Sequence, residues 1–284
     1  MNEKILCQKI SQAITKALLY EVSASPKPGL VDRFNNGSHK DMNFFTFIDS
    51  ACAISGYFEK FAECGLKWED IDQNSLATIR PLGILCDKEM FEATNGINVH
   101  KGAIFSLSII AATASFCYKK NGSISPQLLC EYAAMVAKPA MSDFENIKTK
   151  SQLTNGEKLF QSYGITGIRG EAASGFKSVL LYALPHIKDL DNPNLDKDCV
   201  IINTLLSLIA NVQDTNIISR KGIDALKKAQ DLAKNSLENG GMNCEKGKKL
   251  VLQMDKDFQE MGISGGGCAD LLAITIALHF LGKI

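Results

Sequence analysis

Hydrophobic residues recur along most of the chain with the three- and four-residue spacing that places them on one face of a helix. In the first segment that face carries Leu6, Ile10, Ala13, Ala17 and Leu18, while the charged residues lie elsewhere. Alternation of single apolar and polar residues, which is typical of strands, is scarce. The pattern predicts an all-α protein.

Further helical runs are separated by turns rich in glycine, asparagine and proline. These runs lie at about 43–66, 101–118, 126–138, 171–185, 196–212, 222–239, 243–260 and 268–281. A run over about 72–94 is also predicted to be helical, with an interruption at Arg80-Pro81-Leu82-Gly83, because proline removes a helix hydrogen bond. The polar stretch from Lys188 to Asp198 is the best candidate linker. Since no internal repeat is visible, we expect one globular multi-helix domain over residues 1–284.

Composition and charge narrow the class of protein. The 284 residues are 45% apolar and 22% charged, as in ordinary globular proteins. Lys plus Arg and Asp plus Glu total 31 each, so the net charge is zero and no broad field attracts nucleic acid or an anionic membrane. No N-terminal signal is visible, and the longest apolar stretch, Cys268 to Leu281, is too short to span a bilayer. We expect a cytoplasmic protein that binds neither nucleic acid nor membrane.

The nine cysteines are scattered, with no Cys-x-x-Cys pair, and there are only four histidines. This distribution argues against a zinc site of cysteine and histidine ligands. We expect reduced thiols that are buried like small hydrophobic side chains.

Five loops combine small residues with a cation, a carboxylate or both. They lie at residues 25–41, 94–105, 164–175, 213–222 and 262–270. In an all-α protein, loops between helices can meet at one end of the helices. We therefore expect these glycine-rich loops to converge on one nucleotide site.

The first loop is stiffened by two prolines and a glycine. It presents Lys27, Asp32, Arg33, His39, Lys40 and Asp41. Fixed cations suit a phosphate, and Mg²⁺ takes one or two carboxylates together with phosphate oxygens. The alternative is a solvated loop in which Asp41 caps the helix that starts near Asn43.

The second and third loops each begin a helix. Lys101 stands at the start of an apolar helix, where the amides and the dipole favour an anion, and His100 beside it is either a general acid or base or a structural residue. Arg169 lies between glycines and has the planar guanidinium that suits phosphate. Glu171 follows it in a first helical turn.

The last two loops add further polar groups. The fourth offers Asp214, Asn216 and Arg220, and Asp214 is equally well explained as an N-cap. In the fifth, residues Gly265, Gly266 and Gly267 open an apolar helix that carries Asp270. A dinucleotide-binding fingerprint is excluded because the preceding segment is helical rather than a strand. No P-loop, His-Glu-x-x-His motif or nucleophile elbow is present, and nothing in the sequence supports a Ser/His/Asp triad.

Taken in order, these motifs resemble those of the triphosphoribosyl-dephospho-CoA synthase family. The matching segments are Ser25-Pro-Lys-Pro-Gly-Leu-Val-Asp-Arg, His39-Lys-Asp-Met, Asn98-Val-His-Lys-Gly-Ala-Ile-Phe-Ser, Gly167-Ile-Arg-Gly-Glu-Ala, Asp214-Thr-Asn and Gly266-Gly-Cys-Ala-Asp-Leu-Leu. They span nearly the whole chain in the order that the family has.

The resemblance implies a transferase that joins the ribose C1 of ATP to the 2′-hydroxyl of 3′-dephospho-CoA and releases adenine. Its product is the prosthetic-group precursor that a second transferase attaches to the acyl carrier subunit of citrate lyase or of malonate decarboxylase. ATP and 3′-dephospho-CoA are then the substrates, with Mg²⁺ accompanying ATP. The helices are also apolar enough to hold a homodimer interface.

Under this reading, Glu171 is the favoured base for the incoming hydroxyl, with Asp41 as the second candidate and His100 as a further acid or base. The phosphates would be held by Lys27, Arg33, Lys101, Arg169 and Arg220, with His39, Asn216 and Gly265 to Gly267 completing the substrate site. The Mg²⁺ ligands would come from Asp32, Asp41, Asp214 and Asp270. Two alternatives stay open: a Mg²⁺-dependent nucleotide N-glycosidase or hydrolase, and a non-catalytic nucleotide- or CoA-binding protein.

Overall fold

The computed structural model describes residues 1–145, 147 and 152–284. In these residues the regular structure is helical and contains no strand, which confirms the all-α prediction. The α-helices are α1 (Glu3–Ser23), α2 (Phe44–Leu66), α3 (Ser75–Ala93), α4 (Lys101–Asn121), α5 (Pro126–Ala137), α6 (Asn155–Tyr163), α7 (Gly167–Ala173), α8 (Leu184–Ile187), α9 (Lys197–Asn211), α10 (Thr215–Glu238), α11 (Glu245–Met261) and α12 (Gly266–Leu281).

The chain divides into two compact units. The first comprises Met1–Leu18, Ile48–Lys177 and Ala277–Ile284. Its central element is α4, which packs against α3, α5 and α7. Helix α4 is buried on nearly all sides between Ala103 and Cys117, because its residues there are small or apolar. It ends at Gly122, which adopts the left-handed conformation of a helix C-cap.

By length and composition alone, α4 is also apolar enough to cross a membrane. However, 78% of its most apolar window is buried within the protein. A helix that is apolar on all sides and covered by its neighbours is the expected centre of a globular core.

The second unit comprises Leu19–Phe47 and Ser178–Ile276. Helix α9 packs against α8 and α10, and α10 packs against α11. The central residues of α9, from Val200 to Ala210, are buried. Helix α10 is kinked at Gly222, whose φ of 84° is accessible to glycine but strained for other residues.

Several predicted helices agree with the structure to within two residues, and three features differ. Helix α3 continues through Pro81 instead of breaking there. The carbonyl that loses its partner belongs to Ala77, which is exposed, so water can satisfy it. The run predicted over 171–185 is interrupted after Ala173, because Gly175 and Phe176 adopt positive φ. The run predicted from residue 222 already begins at Thr215.

The predicted linker and the predicted thiols are also placed by the structure. Residues 188–196 join α8 to α9 within the second unit, and the last two residues of the predicted linker, Lys197 and Asp198, already belong to α9. All nine cysteines are free, as expected for reduced thiols. Their predicted burial is wrong for Cys52 and Cys244, which lie on exposed helix or turn positions. That residues 1–284 form one domain stays a prediction.

The contact between α2 and α4 depends on a glycine. A side-chain carbon at Gly65 would collide with the carbonyl oxygen of Ala112, so the two backbones approach one another where no Cβ intervenes. Beside it, the Ser115 hydroxyl donates to the carbonyl of Ala62 at 2.6 Å. The close approach therefore also satisfies a buried hydroxyl.

Replacing Gly65 with alanine should destabilise the protein by about 1–3 kcal/mol, the usual cost of overpacking. The matched control is Gly56→Ala on the same helix, where an added Cβ meets nothing within 4 Å. That control should gain about 0.5–1 kcal/mol from higher helix propensity. Urea unfolding followed by circular dichroism measures both. Equal effects of the two substitutions would show that the α2–α4 contact does not require glycine.

Candidate functional site

The first loop of the second unit is folded by a buried carboxylate. Asp32 Oδ1 accepts the backbone N–H groups of Phe34 and Asn35 at 2.7 and 3.0 Å, and its Oδ2 accepts that of Lys27 at 2.9 Å. Its side chain is buried. Asp32, predicted as a metal ligand, therefore holds the loop through three backbone donors.

The ammonium group of Lys27 is fully buried beside a second carboxylate. Lys27 Nζ lies 2.5 Å from Glu21 Oε1, and the two side chains are 1% and 4% exposed. Burial raises the pKa of Glu21, and the Lys27 charge acts in the opposite direction. The Lys27 charge is therefore already compensated internally, and its contact with a phosphate stays a prediction.

Arg33 lies at the edge of the same loop. Its Nη2 pairs with Asp198 Oδ2, and its Nε donates to Ser25 Oγ at 3.3 Å. Asp198 also accepts the backbone N–H of Ser25. With 42% of its side chain exposed, Arg33 remains within reach of solvent and of an anion.

The start of α12 is joined to the start of α10 by Asp214. Its Oδ1 accepts the N–H groups of Asn216 and Ile217 at 2.8 and 3.1 Å, and its Oδ2 accepts that of Cys268 at 2.8 Å. Burial raises the pKa of Asp214, whereas these three donors favour the charged form. The carboxylate thus caps two helices at once, which exceeds the single N-cap expected from the sequence.

Glycines at the start of α12 allow this approach. A Cβ at Gly267 would lie 3.1 Å from Asp214 Oδ2, and a Cβ at Gly266 would lie 2.9 Å from the Asn216 amide nitrogen. Gly265 is buried beside them, and Asp270 lies half-buried in the same helix. Asn216 and the three glycines, all predicted to contact substrate, therefore lie close together.

His39 connects the first loop to this surface. Its Nε2 is hydrogen-bonded to Ser264 Oγ at 2.7 Å, and its Nδ1 lies 3.8 Å from Asp41 Oδ1. Burial lowers the pKa of His39, and the positive charge of Arg220 lowers it further. Both effects favour the neutral imidazole, and Asp41 acts in the opposite direction. Ser264 is buried, so this trio fixes the loop and does not expose a serine nucleophile.

A further contact strengthens the junction of these two loops. Ser38 Oγ donates to the carbonyl oxygens of Ile263 and Phe258 at 2.6 and 3.1 Å. Three of the five predicted loops, at 25–41, 213–222 and 262–270, thus meet within the second unit. The remaining two loops belong to the first unit, so convergence of all five on one site stays a prediction.

In the first unit, His100 and Lys101 mark the start of α4 as predicted. His100 Nδ1 is hydrogen-bonded to Ser50 Oγ at 2.7 Å and the ring is buried. Lys101 is exposed, and its charge acts on the carboxyl of Asp87 on α3. The Asp87 carboxyl therefore competes with the anion that we expect near Lys101.

Helix α7 carries Arg169 and Glu171, both half-buried. Arg169 Nη2 lies 3.5 Å from Asp143 Oδ2, and its guanidinium lies over the ring of Phe144. Gly170 is required here because a Cβ would collide with the side chain of Thr166.

Besides Asp198 and Asp143, sequence reasoning missed three further carboxylates that the structure places among these groups. Asp255 accepts the N–H of Gly29 at 2.9 Å and the amide of Asn35 at 3.1 Å, and so anchors the first loop to α11. Glu21 neutralises Lys27. Both lie on the apolar face of an amphipathic helix, and an acidic residue in such a position is the signal that could have identified them.

Asp87 is the third carboxylate that was missed. Its Oδ1 is buried and accepts no hydrogen bond from the residues that the structure describes. Burial raises the pKa of Asp87, and Lys101 partly offsets this effect. Buried carboxylates with a perturbed pKa are concentrated at functional sites, so Asp87 joins the candidates in the first unit.

The donor groups of this protein bear on metal binding. Among residues 1–145, 147 and 152–284, no group of three or more His, Cys, Asp or Glu side chains is placed to hold a metal ion. Asp32 and Asp214 already accept three backbone donors each. The side chain of Asp41 is 64% exposed. That Mg²⁺ takes its ligands from Asp32, Asp41, Asp214 and Asp270 stays a prediction.

Comparison with known proteins identifies the family. A sequence model of the CitG family, described as ATP:dephospho-CoA triphosphoribosyl transferase, matches residues 7–284. The chain belongs to this family. The CitG fold is also seen in a solved structure, that of a candidate triphosphoribosyl-dephospho-CoA synthase from Archaeoglobus fulgidus. The two chains are 18% identical with a TM-score of 0.52, over 83% of this chain and 98% of that chain.

For this CitG-family transferase, Asp214→Asn should lower the free energy of unfolding by about 1–3 kcal/mol. The asparagine oxygen can still cap α10, but its amide cannot accept from Cys268, which leaves a buried donor without a partner. The measurement is urea unfolding at pH 7.

The matched control is Asp196→Asn, because Asp196 caps α9 alone through the N–H of Asp198. Asparagine caps a helix about as well as aspartate, so this variant should change stability by no more than about 0.5 kcal/mol. Equal losses in the two variants would mean that the bond to Cys268 contributes nothing.

Proposed function

We propose that this protein transfers the triphosphoribosyl group of ATP to the 2′-hydroxyl of 3′-dephospho-CoA and releases adenine. The observation that carries the proposal is the family match over residues 7–284. The geometry of the second unit supports it, because three loops bring Asn216, His39 and Gly265 to Gly267 together at the start of a helix. First-turn amides have no partner inside their helix and favour phosphate oxygens.

The cations of this region fit a phosphate chain to different degrees. Arg220 has no ion pair within the described part of the chain and is exposed, so it is the strongest candidate for the triphosphate. Arg33 is exposed but shares its charge with Asp198. Lys27 would not contact the phosphate directly, because its ammonium group is paired with Glu21. That Lys101 and Arg169 of the first unit also bind phosphate stays a prediction.

The reaction breaks the bond between ribose C1 and the adenine nitrogen and forms a bond from C1 to the acceptor oxygen. The ribose carries positive charge in such a transition state, so a nearby carboxylate stabilises it. The proton of the acceptor hydroxyl passes to a base, and the departing adenine takes up a proton. We assign the base to Glu171, with Asp41 as the second candidate and His100 as a further acid or base.

Mg²⁺ enters the proposal with ATP, as the metal–nucleotide substrate. One or two carboxylates suffice for Mg²⁺ when phosphate oxygens supply other ligands. Asp41 suits this role best because its side chain is largely exposed, and Asp270 is the second choice. Asp32 and Asp214 are better explained as the groups that hold the loop and the helix ends.

We further propose that the product is passed to a second transferase, which attaches it to the acyl carrier subunit of citrate lyase or of malonate decarboxylase. The transferase family of this chain is consistent with both pathways. A cytoplasmic location and a homodimer also stay predictions, and the mass of the native particle in solution would test the dimer.

The first test is incubation with ATP, Mg²⁺ and 3′-dephospho-CoA. Free adenine is measured by chromatography and the enlarged CoA product by mass spectrometry. We expect adenine only in the presence of the acceptor, in amounts equal to the product. Adenine release without the acceptor would identify a hydrolase instead. An absence of adenine under both conditions would be the result of a binding protein.

The second test separates the two candidate bases. Glu171→Gln should lower kcat by about 10²–10⁴-fold, the usual contribution of a general base, and should leave ATP binding largely unchanged. Asp41→Asn should chiefly raise the Mg²⁺ concentration that turnover requires. Glu131, an exposed carboxylate in the same unit as Glu171, provides the control, and Glu131→Gln should behave as wild type. If Asp41→Asn alone abolishes turnover, the roles of Glu171 and Asp41 are exchanged.

A further inference from the structure

Two arginines of the first unit face one carboxylate. Arg80 on α3 and Arg169 on α7 place their Nη2 atoms 3.9 and 3.5 Å from the same Oδ2 of Asp143. Asp143 belongs to the 3₁₀ segment Lys138–Phe144. Neither Arg80 nor Asp143 lies in any of the five loops that the sequence singles out.

The carboxylate is held only weakly. Both distances exceed those of normal hydrogen bonds, so the contacts are ion pairs between partly exposed groups. In the described part of the chain, Asp143 has no backbone donor, whereas Asp32 and Asp214 have three each. Asp143 can therefore leave this position without exposing buried amides.

The arginines are better matched to a phosphate than to this carboxylate. Two guanidinium groups against one carboxylate leave an excess of one positive charge. A phosphate group carries more charge than a carboxylate and offers enough oxygens for both planar guanidinium groups. The Arg169 guanidinium lies over the ring of Phe144, at 5.5 Å, and Phe144 stacks on Phe160. This packing restrains one of the two arginines in advance of binding.

We infer that Arg80 and Arg169 form a phosphate clamp, in which Asp143 occupies the anion position until a phosphate group of a substrate displaces it. The ligand class is a phosphate or diphosphate group. That this group belongs to ATP or to 3′-dephospho-CoA rests on the proposed function, whereas the anion site itself does not.

Competition gives Asp143 and the arginines opposite effects on phosphate binding. Removing the carboxylate charge should strengthen binding, because the phosphate no longer displaces a counter-ion. Removing an arginine should weaken binding. If the three residues formed only a structural ion-pair cluster, loss of any member would not improve the affinity for an anion.

The experiment is chemical modification of arginine by phenylglyoxal, read at each arginine by mass spectrometry of peptides. It is performed on the full-length protein at fixed ionic strength, with inorganic pyrophosphate as the probe. We expect pyrophosphate to protect Arg80 and Arg169. Asp143→Asn should lower the concentration for half-protection by about two- to fivefold. Arg80→Gln should raise the pyrophosphate concentration that half-protects Arg169 roughly tenfold.

Matched controls lie on the same helix. Lys88 and Glu92 form an exposed ion pair on α3, so Lys88→Gln and Glu92→Gln change the same charges away from the clamp. Neither should alter the protection. The melting temperature of each variant shows that it is folded, and Arg80→Lys serves as a second variant if Arg80→Gln is not.

The inference is overturned if pyrophosphate protects neither arginine, or if folded Asp143→Asn protein requires as much pyrophosphate as wild type or more. It also fails if Lys88→Gln weakens protection as strongly as Arg80→Gln. The loss would then come from the general electrostatic field of positive charges on α3 and not from a specific contact. Protection by ATP or by 3′-dephospho-CoA identifies which substrate supplies the phosphate. Protection by pyrophosphate but by neither substrate would overturn the assignment to a substrate. None of these readings requires turnover, so the clamp can stand even if adenine release fails.

Discussion

The second unit depends on one carboxylate shared by two helix ends. Asp214 accepts amides from the first turns of α10 and α12, which are far apart in the chain. First-turn amides have no partner within their own helix, so a single buried acceptor holds both ends in place. Asn216 at the start of α10 and Gly266 at the start of α12 are thereby adjacent. The proposed phosphate surface therefore depends on how these two helices are capped.

Buried carboxylates of this protein mainly organise backbone. Asp32, Asp214 and Asp255 each accept backbone amides, and two of them had been predicted to bind Mg²⁺. Both roles use the same oxygen atoms, so the residue type and its place in a glycine-rich loop cannot distinguish them. The number of backbone N–H groups that a carboxylate accepts does distinguish the two roles. A carboxylate with three such donors is committed to the fold, and one without them, such as Asp143 within the described residues, is able to exchange partners.

Helices with a continuous apolar face were predictable because their spacing is local information. The start of α4 at Lys101 and the extent of α2 followed from the pattern. The continuity of α3 through Pro81 did not, because it depends on whether the freed carbonyl reaches water. In the site, the loop residues were identified but their partners were not. His39 meets Ser264 across 225 positions, and Lys27 meets Glu21 on the apolar face of α1, where hydrophobic periodicity predicts no charge.

A chain of zero net charge can bind a polyphosphate only through local excess of positive charge, and the structure shows where that excess lies. Lys27 is neutralised by Glu21 inside the protein, and Arg33 shares Asp198. Removing such a cation would leave its carboxylate unpaired, so its loss affects folding before binding. A cation whose counter-ion is absent or weakly held is more available to a ligand than Lys27 or Arg33. An incoming phosphate does not have to compete there with a fixed internal partner. On the proposed function, affinity for the phosphate chain therefore depends less on how many cations the loops contain than on how loosely their counter-ions are held.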